Sequence, residues 1–178
     1  VEQGSYFRAK APPQTSRDLV NTLRLELAKA VRDLAPFDLA IDSKLRGCDL
    51  VKLQVNDVMH GNTMLTRTMV VQQKTKQPVR FEITQRTQDA LKAWITEANL
   101  RGTDFIFQSR LHASQHLSTR QYARIVKTWV ESIGLDSAEY GTYTMRRTKA
   151  SLIYKKTKNI RAVQLLLGHT KLEFLAHY

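Results

Sequence analysis

Between Val55 and Thr84 the apolar residues of this chain stop recurring at helical spacing and begin to alternate. A half-buried strand turns every second side chain to the core, whereas a helix repeats about every 3.6 residues. Val79-Arg80-Phe81-Glu82-Ile83 alternates apolar with charged residues, and Thr66–Gln73 is rich in β-branched ones. Both are strand signals. Val55–Met59 can form another short strand, closed by a turn at His60-Gly61-Asn62. Lys74–Pro78 is polar and holds a proline, so it reads as a basic hairpin tip. Both flanks of this stretch read as helix. The sequence therefore predicts a mixed α+β fold, mainly helical, with a small three-stranded antiparallel sheet near 55–84.

Leu19, Val20, Leu23, Leu27, Val31 and Leu34 share one helical face, which Thr15 or Ser16 can cap and Pro36 should end. A second helix is expected over about 38–53, with Leu39, Ile41, Leu45, Leu50 and Leu53 apolar and Gly47 a weak point. Further helices are expected at about 86–99 and 118–133, the latter with Gly134 as its C-cap. Residues 142–156 and 159–167 read as two more, the second ended by Gly168. Phe105-Ile106-Phe107 is a short apolar run, and Trp94 and Trp129 lie among apolar residues as core side chains. Residues 1–14 are polar and contain Pro12-Pro13, which makes them a linker or arm to a single domain at 15–178.

Charge narrows the partners. Lys and Arg number 28 against 16 acids, a net charge of +12, so polyanions should concentrate around the chain. The excess is local: residues 146–178 hold eight Lys or Arg and one acid, Glu173. A single cysteine, Cys48, excludes an internal disulfide framework and a cysteine-based zinc site. No apolar run approaches the roughly 20 residues needed to cross a bilayer, and the N-terminus lacks the apolar segment of a signal peptide. Nucleic acid therefore leads the list of partners, and the lone cysteine suits a reducing compartment.

Two stretches carry chemistry. In Leu45-Arg46-Gly47-Cys48-Asp49-Leu50-Val51-Lys52-Leu53, Arg46 sits among apolar residues, where a buried guanidinium needs an anion. A local Arg46–Asp49 pair closing a helix end is the competing reading. The second is Tyr143-Thr144-Met145-Arg146-Arg147-Thr148, followed by Leu165-Leu166-Leu167-Gly168-His169-Thr170 and then Tyr178. Taken singly, His169 could be a cation at a helix C-terminus, Lys74 a solvated lysine and Tyr178 a terminal residue.

Together these stretches resemble the tyrosine recombinase (phage integrase) family over roughly 15–178. That family carries an Arg in a "G-L-R-x-x-E-L" helix, a Lys on a β-hairpin, an "H-x-x-R" motif, an "L-L-G-H" motif and a nucleophilic Tyr nine residues beyond it. The resemblance carries these roles to Arg46, with Asp49 as the supporting acid, and to Lys74, with Lys76 the alternative. It carries them also to Arg146, His169 and Tyr178; the last two are nine apart here. Lys76, Arg147 and Lys149 would add DNA contacts. Two positions depart from the pattern: Tyr143 stands where the family has His, and Asp49 where it usually has Glu. A phenol with an ordinary pKa near 10 is a hydrogen-bond donor at neutral pH, not a base. The alternative implied by Tyr143 is a relative that binds DNA with impaired cleavage.

The resemblance implies attack by Tyr178 on a DNA phosphodiester, giving a 3′-phosphotyrosine intermediate. The side chains suit it. Forked guanidiniums match phosphate geometry, a phenol oxygen is a competent nucleophile, and an ammonium can protonate a poor leaving group. No cofactor or metal is expected. The sequence holds neither a G-x-x-x-x-G-K-[ST] loop nor H-E-x-x-H, and His112 and His116 lack an evident third ligand, so they read as a polar loop. A basic RNA-binding domain would give the Arg–Arg–His–Tyr set no special role. The natural chain is expected to extend past Tyr178 and to be preceded by a helical DNA-clamping domain absent from these residues. The full-length protein is expected to form a tetramer on DNA.

Overall fold

The computed structural model describes residues 16–109 and 115–167. The first helix, α1 (Ser16–Leu27), buries Leu19, Val20, Leu23 and Leu27 on one stripe. It stops at Leu27, and α2 (Val31–Ser43) starts anew and runs through Pro36. The single helix expected to end at Pro36 is thus two helices. Pro36 is the sixth of the thirteen residues of α2, and the helix runs through it despite the one backbone hydrogen bond that proline cannot donate. From Ala35 to Ser43 every residue of α2 is buried, because α1, α5 (Gln85–Glu97), α7 (Thr142–Thr157) and β4 (Pro78–Glu82) all pack around it.

The helix expected over 38–53 is also divided. Lys44 takes a left-handed conformation (φ 56°) and caps α2, its amide bonding to the Ala40 carbonyl. A four-residue helix, α3 (Gly47–Leu50), follows with Arg46 at its N-cap. A Cβ on Gly47 would come within 3.3 Å of the Tyr122 ring, so glycine there lets α3 lie close on α6 (Thr119–Ser132). Val55–Val58, expected as a strand, is a helical turn, α4. The Gln54 amide donates to the Asp57 carboxylate at 2.8 Å, which closes the turn, and Val55 and Val58 then bury together.

The small antiparallel sheet takes the form of two ribbons. β1 (Met59–His60) pairs with β2 (Thr63–Met64) around Gly61, whose φ of 56° suits a tight turn. β3 (Arg67–Val71) pairs with β4, with Thr68 opposite Phe81 and Val70 opposite Val79. Val79, Phe81 and Ile83 turn inward. Trp129 is buried edge-on against Phe37, 5.8 Å between centroids, and the Trp94 indole donates to the Ile106 carbonyl at 2.9 Å. Gly134 is left-handed (φ 78°) just past α6, as its C-cap role predicts.

Among the described residues the core falls into two clusters. One cluster joins α1 to α6, β4 and Met145. A second, of Ala150, Val163 and Leu167 with Tyr154 against them, lies between α7 and α8 (Ile160–Leu167).

Candidate active site

Arg46 and the β3–β4 hairpin form one assembly. Arg46 is half-buried, and its Nη1 donates to the Gln72 Oε1 at 2.5 Å. The same oxygen accepts from the Thr75 hydroxyl at 2.8 Å. Gln73 donates its amide to Asp49 Oδ1 (2.8 Å) and its side-chain nitrogen to the Cys48 carbonyl (2.7 Å). Lys52 reaches Gln73 Oε1 at 3.2 Å. Asp49 therefore grips the hairpin backbone, in place of the local Arg46–Asp49 pair that sequence spacing allowed. Lys74 and Lys76 sit exposed at the tip this assembly supports, Lys76 with φ 55°.

Arg146 lies on α7 and is only 4% exposed. Its Nη2 donates to the Leu167 carbonyl at 2.6 Å, so the guanidinium organises the last turn of α8, next to the Gly168-His169 position in the chain. Tyr143, one turn before it, is 55% exposed, with the Arg147 guanidinium 5.3 Å from its ring centroid. A cation over a phenol face is attracted by the ring's negative quadrupole. His169, Tyr178 and His112 lie outside the described residues. His116 packs on Phe105, 4.9 Å between ring centroids, and its Nδ1 lies 2.8 Å from the Leu117 carbonyl.

Lys149, expected to face DNA, instead points its ammonium at Asp42 Oδ1, 2.5 Å away. The other oxygen, Asp42 Oδ2, accepts from the Thr84 amide (2.9 Å), the Thr84 hydroxyl (2.7 Å) and the Thr87 hydroxyl (2.6 Å). Burial pushes the Asp42 carboxyl up, but the Lys149 ammonium and the Thr donors outweigh it and hold it below the ordinary range. Asp38, one turn earlier, pairs with Arg24, yet burial leaves its carboxyl raised. Lys44 is almost fully buried beside these groups; desolvation first, then the Lys149 charge, lowers it to about 8.

The Asp42–Lys149 pair spans 107 residues and ties α7, which bears Arg146, to α2, which ends just before Arg46. Lys149 lies one helical turn from Arg146, and Asp42 four residues before Arg46. Sequence reading missed Gln72, Asp42 and Lys44. Asp38 and Asp42 are two acids at helical spacing in an otherwise apolar run, and Gln72 continues the inward face of Thr68 and Val70. A polar residue at a core position demands a partner, and that is the signal each of them carries.

Comparisons with known proteins bear on the family and the fold. The model of the phage integrase family matches residues 13–178. The probable integrase/recombinase YoeC of Bacillus subtilis (strain 168) is 29% identical over 154 residues, covering 85% of this chain and 79% of that protein. The tyrosine recombinase XerC of Neisseria gonorrhoeae (strain ATCC 700825 / FA 1090) is 30% identical over 147 residues, 80% of this chain but 45% of XerC. The XerA recombinase crystal structure superposes with a TM-score of 0.76 at 18% identity, over 92% of this chain and 60% of that one. XerH recombinase bound to its difH substrate gives 0.73 at 18% identity, over 92% of this chain and 49% of that one. At 18% identity these two structures share the fold, and the chain spans about half the length of XerC and XerH. With its family model matched from residue 13 to residue 178, the chain belongs to the phage integrase family of tyrosine recombinases.

Proposed function

We propose that this chain is the catalytic domain of a site-specific DNA recombinase, cutting and rejoining strands through a 3′-phosphotyrosine. The observation that carries the reading is the joining of three distant segments. The Arg46–Gln72 contact ties the Arg46 turn to the Lys74 hairpin, and the Lys149–Asp42 contact ties α7, which bears Arg146, to α2, which ends just before Arg46. Arg46 and Arg146 clamp the scissile phosphate, meeting the negative charge that grows on its free oxygens. The Tyr178 oxygen bonds to phosphorus as the bond to the 5′ oxygen breaks. The phenol proton is lost, and the Lys74 ammonium gives a proton to the leaving 5′ oxygen. His169 hydrogen-bonds the phosphate, and the Tyr143 hydroxyl is a further donor to it. The phosphotyrosine link keeps the energy of the phosphodiester, so neither ATP nor a metal ion enters the reaction.

Lys76 and Arg147 add phosphate contacts, and affinity falls steeply as salt rises. Among the described residues no helix is long and apolar enough to cross a membrane. The full-length protein works on DNA in the cytoplasm as a tetramer. The test is a nicked duplex taken from the ends of the DNA element that encodes the chain. Denaturing gels should show a covalent adduct with the parent and none with Tyr178→Phe. Retention of DNA without any adduct would identify a binding relative instead, and preference for RNA in competition would remove DNA as the substrate.

A further inference from the structure

Gln72 is 0% exposed, at a position where the strand pattern calls for an apolar side chain. Its backbone closes the hairpin turn: the amide donates to the Gln77 carbonyl and the carbonyl accepts from the Lys76 amide, each at 2.9 Å. Its Oε1 takes two donors from different places, Arg46 Nη1 and the Thr75 hydroxyl. Those two donors fix which end of the amide faces Arg46, because only the oxygen can accept. The amide nitrogen is left buried with no partner among the described residues. An unsatisfied buried donor costs about 1–3 kcal/mol, and a leucine would fill the space without that penalty. Stability alone therefore does not account for a glutamine here.

Its two donors do. One belongs to the arginine assigned to the phosphate clamp, the other to the residue directly after the lysine assigned as proton donor. We propose that Gln72 is a positioning residue for strand cleavage, its carbonyl oxygen setting the Arg46 guanidinium and the Lys74 turn in register with one another. This rests on the recombinase reading above. Without the shared oxygen, the phosphate could be held while the hairpin tip presents Lys74 out of line with the leaving oxygen. Misplacement of about 1 Å at a reacting group can cost on the order of a hundredfold in rate.

The test compares the intact protein with Gln72→Leu and Thr75→Val on two nicked duplexes from the element ends. They are identical except that one carries sulfur in place of the scissile 5′ oxygen. A thiolate, whose conjugate acid has a pKa of about 8.5, leaves without a proton. Gln72→Leu should slow adduct formation on the oxygen duplex by at least about tenfold, with DNA retention changed by less than about threefold. On the sulfur duplex the deficit should shrink to a few-fold, the part that belongs to Arg46. Thr75→Val leaves Arg46 its acceptor, so it should show a smaller deficit that sulfur removes; it carries the test if Gln72→Leu melts early. Parental rates in both variants, or equal deficits on the two duplexes, would overturn the assignment of Gln72. No adduct with the parent on either duplex would instead overturn the recombinase reading, and this one with it.

Discussion

The two arginines of the proposed clamp are held in opposite ways. Arg46 is partly exposed at the N-cap of a four-residue helix, and the hairpin beside it is pinned by Gln72 and Gln73 to the main core. Arg146 is nearly fully buried, grips the end of α8, and belongs to a helix pair with a small cluster of its own, Ala150, Val163 and Leu167 among the described residues. The Lys149–Asp42 pair is the strap between that helix pair and α2. The first arginine is thus free to meet an anion with little rearrangement, whereas the second also serves as an internal structural member. Loss of either should harm catalysis; loss of the second should harm the fold more.

That contrast is sharpest in a pair of alanine variants. Arg46→Ala and Arg146→Ala should each reduce single-turnover cleavage by roughly a hundred- to a thousandfold, the usual cost of a preorganised donor to transition-state charge. Thermal melting should then separate them, with Arg146→Ala lowered and Arg46→Ala close to the parent. Equal melting temperatures would show that Arg146 is no more structural than Arg46.

Asp42→Asn tests the strap. Breaking a buried pair strands its partner, and because Lys149 retains some access to water the expected loss is about 2–4 kcal/mol in urea unfolding. A change below about 1 kcal/mol would mean that α7 is held by packing instead.

Lys44 gives a smaller effect, read along the pH axis. Its folded pKa of about 8 lies below the ordinary 10.5, so between those values the unfolded chain binds more protons. Stability should therefore rise with pH through that window, by at most about 3 kcal/mol from this group. The full penalty is present below pH 8 and gone above 10.5. Lys44→Met should flatten the slope, and a slope unchanged from the parent would place the lysine in water. Smallest of all is the exposed Arg67–Glu82 pair, 2.7 Å apart across the β3–β4 ribbon. Glu82→Gln should cost less than about 0.5 kcal/mol in urea unfolding, and that little should vanish in high salt.

How much of this was readable beforehand follows from which interactions are local. The stripes Leu19–Leu23–Leu27 and Tyr122–Val126–Trp129–Val130 lie within single helices, so periodicity found them. The alternation of Val79, Phe81 and Ile83 did the same for the hairpin. Helix breaks were less legible: Pro36 looked decisive, yet the interruption fell at Ala28–Ala30 and at Lys44, where long-range packing around α2 decides. Val55–Val58 is too short for its period to distinguish strand from helix; Asp57 settles it through one hydrogen bond. In the site, arginine and lysine types and their order were visible, but their tethers were not. Gln72 and Arg46 are 26 residues apart, Asp42 and Lys149 107, and nothing in either neighbourhood names its partner.

The Asp42 carboxylate has a longer-term consequence. One oxygen serves α7 while the other serves Thr84 and Thr87, so the side chain can neither lengthen nor lose its charge without disturbing two helices at once. Positions 42 and 149 are therefore a locked pair for mutational drift, crossed only by simultaneous change. A library randomised at both should return survivors that keep opposite charges or abandon both, with hardly any intermediate genotypes between them.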